Sequence, residues 1–78
     1  MTLQQLGEKL NEMYFKSNDG EAVVMIHLFG IKYASEIKES GASMKAIAIT
    51  AGIGEAYGTE ISKGVKLAKF VRLNLVNT

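Results

Sequence analysis

The sequence predicts an all-α fold, a small bundle of four to five helices in one domain spanning residues 1–78, and three observations carry that prediction. Apolar residues recur at steps of three and four along most of the chain. Side chains able to cap a helix stand where these periodic segments begin, and glycines stand where they end. Seventy-eight residues suffice for one core and no more, which excludes a two-domain enzyme.

Leu3, Leu6, Leu10, Met13 and Tyr14 fall on one side of a first helix over residues 3–16, with Thr2 and Gln5 spaced to form a capping box at its start. Ser17-Asn18-Asp19-Gly20 is a turn cluster, and Asn18, with Glu21 three residues on, can cap a second helix. The apolar residues between 22 and 29 surround the helix axis, which predicts burial on most sides; a buried strand is the competing reading, and the missing alternation favours helix. Gly30 permits a bend before Ile31, Ala34 and Ile37 resume helical spacing, and Ser40-Gly41 ends the segment. Ser43 can cap a third helix through Ala51 whose small face, Ala46 to Ile49, packs tightly.

Gly52-Ile53-Gly54-Glu55 then interrupts the helical pattern for a turn, after which Tyr57, Ile61, Gly64, Ala68 and Val71 fall at steps of four and three. A helix over 55–63 follows directly. Beyond Gly64 the helix continues to about Phe70, or ends there and yields to a short strand over 71–75, where apolar and polar residues alternate; the spacing favours helix. The Gly-Ile segments at 30 and 52 echo one another, as a duplicated helix–bend–helix or a chance likeness would make them.

Composition removes several chemistries. With no cysteine and one histidine the chain forms no disulfide, thiolate nucleophile or Cys/His zinc site, so no metal or cofactor is expected. His27, set between Ile26 and Leu28, reads as a satisfied structural histidine and not as a base. Tyr33 and Tyr57 stand among isoleucines and read as packing residues, and Gly52-Ile53-Gly54 lacks the third glycine and preceding strand of a dinucleotide fingerprint. No catalytic set emerges, so a non-enzyme is expected. The N-terminus mixes acid and base, and the longest apolar run is far short of the ~20 residues that span a bilayer, so the expected setting is soluble and cytoplasmic. An interfacial membrane helix over 61–73 is disfavoured because Phe70 falls beside Lys63 and Lys66 on the wheel.

Net charge is +1, but its distribution is uneven. Residues 1–42 hold four lysines against six acids, whereas residues 43–78 hold five basic residues against Glu55 and Glu60. Such asymmetry marks either a surface for an anionic partner or a solvated face.

Residues 43–64 have the outline of a short helix, a turn opening on glycine and a second helix lying across the first. Ile47, Ala48, Gly52, Ile53 and Ile61 match the pattern of the bacterial and phage helix-turn-helix superfamily, which the chain resembles over these 22 residues. Gly58 departs from it, standing where a branched aliphatic usually packs, with Tyr57 at hand to fill the volume. The resemblance implies a small non-catalytic DNA-binding module of a phage- or mobile-element-type system, its second helix presented to the major groove of double-stranded DNA. Opposite Tyr57 and Ile61, helical geometry turns Glu55, Thr59, Ser62, Lys63 and Lys66 outward. Thr59, Ser62, Lys63 and Lys66 are then donors to phosphates or base edges, and Lys45 to a backbone phosphate. Glu55 and Glu60 oppose this, and no arginine lies in that helix. The other reading is a helical protein-interaction module, in which Leu73, Leu75 and Val76 of the C-terminal tail are covered by a second copy or another protein.

Overall fold

Thr2 opens the first helix as its spacing to Gln5 predicts: Oγ1 accepts from the Gln5 N–H at 3.1 Å, and the Gln5 side chain accepts from the Thr2 N–H at 2.9 Å. The computed structural model describes residues 1–71, which hold five α-helices and no strand. They are α1 (Leu3–Phe15), α2 (Ala22–Lys32), α3 (Ala34–Ser40), α4 (Met44–Thr50) and α5 (Gly58–Leu67), with a 3₁₀ turn at Glu55–Tyr57.

Three details of the segment 17–40 differ from expectation. Asn18 does not cap α2; its Nδ2 donates to Glu21 Oε1 at 3.2 Å, and α2 starts without a side-chain cap. The bend falls at Tyr33 and not at Gly30, because Gly30 is used for a close helix crossing and keeps helical geometry. Burial of α2 is also narrower than its composition predicts. Ile26, Phe29 and Gly30 are buried, whereas Val23 and Val24 remain 40% and 52% exposed.

The turn between α4 and α5 is built by local hydrogen bonds. Ser43 Oγ accepts from the Ala46 N–H at 3.0 Å and fixes where α4 begins. At the other end Gly52 takes φ +80°, its N–H bonds Ile49 O at 3.0 Å, and the Ile53 N–H bonds Ala48 O at 3.2 Å. This is a Schellman closure: the left-handed residue reverses the chain, satisfies two terminal carbonyls and folds Ile53 back onto the core. Asn11 Nδ2 donates to Ala51 O at 2.9 Å and ties the turn to α1.

α5 ends at Leu67, short of Phe70, and residues 68–70 tighten into i→i+3 turns, with Lys69 N bonded to Lys66 O and Phe70 N to Leu67 O. Leu73, Leu75 and Val76, and all of the alternative strand beyond Val71, lie outside the described residues.

Leu6 and Leu10 of α1, Ile26 and Phe29 of α2, Ile37, Ile47, Ala48, Ala51 and Ile61 form one core, each 2% exposed or less. Each large side chain buried there stabilises the fold by about 1.5–3 kcal/mol relative to exposure. α2 packs against α1 and, most extensively, α5, while α4 bridges α1 and α5. Three crossings depend on missing side chains. Gly7 lies against Thr50, Gly30 against Gly64, and Gly58 against the backbone of Lys45, where a Cβ would meet Lys45 N at 3.1 Å. No volume is therefore left at Gly58 for Tyr57 to fill; Tyr57 leans instead toward Tyr14, with ring centroids 5.8 Å apart. The two Gly-Ile segments are not equivalent, since Gly30 is inside a helix and Gly52 terminates one.

Candidate nucleic-acid interface

Because Gly58, Ile61 and Gly64 face inward, the opposite side of α5 is fixed by the 100° step of the helix. Thr59, Lys63 and Lys66 stand along that outer side, all exposed, and Ser62 lies at its margin, half-buried. Thr59 Oγ1 donates to Ala56 O at 3.1 Å and keeps an acceptor lone pair outward. Lys45, in the first turn of α4, is exposed beside the start of α5, since the Gly58 crossing lies on its backbone. Thus Thr59, Lys63 and Lys66 come together on one face and Lys45 adjoins its N-terminal end. Ser62 turns toward a groove between α3 and α5, which Lys66 also lines.

Both acids that oppose an anionic ligand have cationic partners. Glu55 Oε2 is 3.3 Å from Lys45 Nζ, with both side chains more than 60% exposed. Glu60 lies at the edge of the face and is drawn inward: Oε1 is 2.7 Å from His27 Nε2 and Oε2 is 3.2 Å from Lys63 Nζ. A carboxylate has no proton to give, so Nε2 carries the hydrogen of the short bond. The His27 hydrogen bond, and after it the Lys63 ammonium, hold the Glu60 carboxyl below the usual carboxylate range. Solvent-exposed pairs such as Lys45–Glu55 contribute only about 0.2–1 kcal/mol, so a phosphate can displace the acid from its lysine at small cost.

Among the described residues Lys66 makes no ion pair. Sequence spacing located the outward face of α5 but missed the acid partner of His27, because His27 and Glu60 stand 33 positions apart, across three helix boundaries. It also passed over Lys38 and Lys69, which line the α3–α5 groove with Lys66. The i, i+3 spacing of Lys66 and Lys69 was the available signal. No group of His, Asp and Glu able to hold a metal occurs among the described residues, and no helix there is long and apolar enough to cross a membrane.

Neither a curated protein nor a solved structure matches the chain. A family described as HTH-like domain matches residues 2–74, from the cap of α1 through the whole of α4, the turn and α5. With a match of that extent, the chain belongs to the HTH-like domain family.

Proposed function

We propose that the protein is a non-catalytic DNA-binding module in which α4 and α5 are the two legs of the helix-turn-helix and α5 enters the major groove. The observation that carries this reading is the division of α5 into an inward face of Gly58, Ile61 and Gly64 and an outward face of Thr59, Lys63 and Lys66. The glycines hold α5 down on α2 and α4, so the outward side chains are carried on a rigid element. Lys63 and Lys66 supply cations for phosphates, Ser62 a hydroxyl for phosphates or base edges, Thr59 an acceptor for a base amino group while its proton stays on Ala56 O, and Lys45 a further phosphate contact. So few cations give affinity that is weak and steeply dependent on salt. Two chains on two half-sites would raise it.

Titrating the isotope-labelled chain with a short duplex tests the reading by NMR. Amide shifts concentrated at 43–46 and 58–66 support it; shifts elsewhere, or none at about 50 mM salt, reject it.

The end of α5 favours a second reading, a protein-interaction module. Leu67, Phe70 and Val71 are 42%, 82% and 43% exposed, and continue toward the apolar residues of the tail. Sedimentation at micromolar concentration separates the two: a monomer that binds DNA has no need of this surface, whereas a dimer lost in Phe70→Ser places it in an interface.

A further inference from the structure

Between α3 and α5 runs an open groove of about 590 Å³. Its walls are a face of α3 with Ala34, Ile37 and Lys38, and a face of α5 with Ser62, Val65 and Lys66 that Lys69 extends from the turn after the helix. Ala42 of the α3–α4 connection and Met44 of α4 also line it. The floor is apolar, with Ile37 at its base and Met44 and Val65 half-buried. Its charge is one-sided. Lys38, Lys66 and Lys69 stand on the rim and among the described residues no carboxylate lines the groove, in a chain with eight acidic residues. None of the three lysines has an ion-pair partner among the described residues.

We infer that this groove is a docking site for an acidic amphipathic helix of a partner protein, which seats an apolar stripe on Ile37, Met44 and Val65 and sets carboxylates against Lys38, Lys66 and Lys69. The floor and the rim each narrow the choice. Phosphates of a nucleic acid would meet the lysines but leave the apolar floor uncovered. A bilayer accepts protruding apolar side chains, and this floor is recessed between two walls. In a second copy the helices that carry exposed acids, α1 with Glu8 and Glu12 and α3 with Glu39, already spend their apolar stripes on the core at Leu6, Leu10 and Ile37. A helix with apolar residues at i, i+3, i+4 and i+7 and acids on its flanks satisfies both the floor and the rim. Since Lys66 belongs also to the outer face of α5, such a partner and DNA compete for it; docking itself does not rest on the DNA reading.

The test uses the full chain and a display library of helical peptides about four turns long, apolar at i, i+3, i+4 and i+7 and varied at every other position. The expected result is recovery of binders enriched in Asp and Glu beside the stripe, whose NMR footprint covers Met44, Val65 and Ala68. Their affinity falls at least tenfold in Lys38→Glu/Lys69→Glu, a variant that alters two exposed side chains and leaves Lys45, Thr59, Lys63 and Lys66 in place. An unchanged amide spectrum of that variant establishes that it is folded. Recovery of no binder, binders without acid enrichment, equal binding to the variant, or a footprint elsewhere overturns the proposal. So does self-association of the free chain that shifts the same groove residues, which assigns the groove to a second copy. Absence of DNA binding by the parent chain, with acidic peptides bound in the groove, rejects only the DNA reading.

Discussion

Gly30 and Gly64 face each other across the crossing of α2 and α5, so closely that a Cβ added to Gly64 would lie 3.0 Å from the Gly30 Cα and collide with the carbonyl oxygen of His27. Both neighbours are backbone and cannot turn aside. The crossing fixes the inward face of α5 and, with it, which side chains the helix presents to a ligand. Alanine at 64 would gain at most about 1 kcal/mol of helix propensity, while overpacking of a core contact costs about 1–3 kcal/mol. Gly64→Ala is therefore expected to lower stability, read as a smaller urea midpoint with an unchanged slope. A midpoint equal to or above that of the parent chain contradicts the close crossing.

Glu60 ties the same two helices together from the side. Its carboxyl is held below the usual range by His27 and then by Lys63, so the folded chain keeps the carboxylate charged at a pH where the unfolded chain is protonated. The stabilisation is thus present above the ordinary glutamate range and is lost as pH falls through the lowered folded value. Thermal unfolding followed from pH 7 to pH 3 is expected to show a smaller acid loss in Glu60→Gln than in the parent chain. Parallel curves in the two proteins contradict the assignment.

The start of α4 depends on one hydroxyl. Ser43→Ala removes the acceptor of the Ala46 N–H and is expected to cost about 1 kcal/mol, measured by urea unfolding. The same substitution at Ser35, exposed on α3, whose side chain makes no hydrogen bond among the described residues, is expected to stay within about 0.5 kcal/mol. Equal effects at the two positions contradict the cap.

Much of this arrangement is legible in the sequence, for identifiable reasons. Thr2 with Gln5, Ser43 with Ala46, and Gly41 and Gly52 each act within a few residues, and caps and left-handed terminators carry the same meaning wherever they occur. The outward face of α5 follows from the same local geometry, once Ile61 is placed inside. Gly30 is the instructive difference. A glycine within a helical pattern reads equally as a bend or as a close approach, and only the position of Gly64 on another helix decides between them. Pairing of His27 with Glu60 and the groove between α3 and α5 were hidden for the same reason, since both are products of tertiary packing.

Glu55 sets a prediction of opposite sign to the usual loss on mutation. It holds Lys45 and stands near the N-terminal end of the proposed DNA face, so Glu55→Gln frees the lysine and removes a charge that repels phosphate. Duplex affinity at low salt is expected to rise severalfold, measured by fluorescence anisotropy, whereas Lys45→Ala lowers it. A fall in affinity for Glu55→Gln contradicts a phosphate contact at Lys45.

The salt dependence of duplex binding tests the proposed role of α5 most directly, because each phosphate contact contributes about 0.9 to the slope of log K against log salt. Replacing Lys63 or Lys66 with alanine is predicted to reduce that slope by about one unit each, while Lys9→Ala, on the exposed side of α1, leaves it unchanged. Identical slopes for all three variants, or no binding by the parent chain at about 50 mM salt, would contradict the claim that α5 offers its lysine-bearing side to DNA.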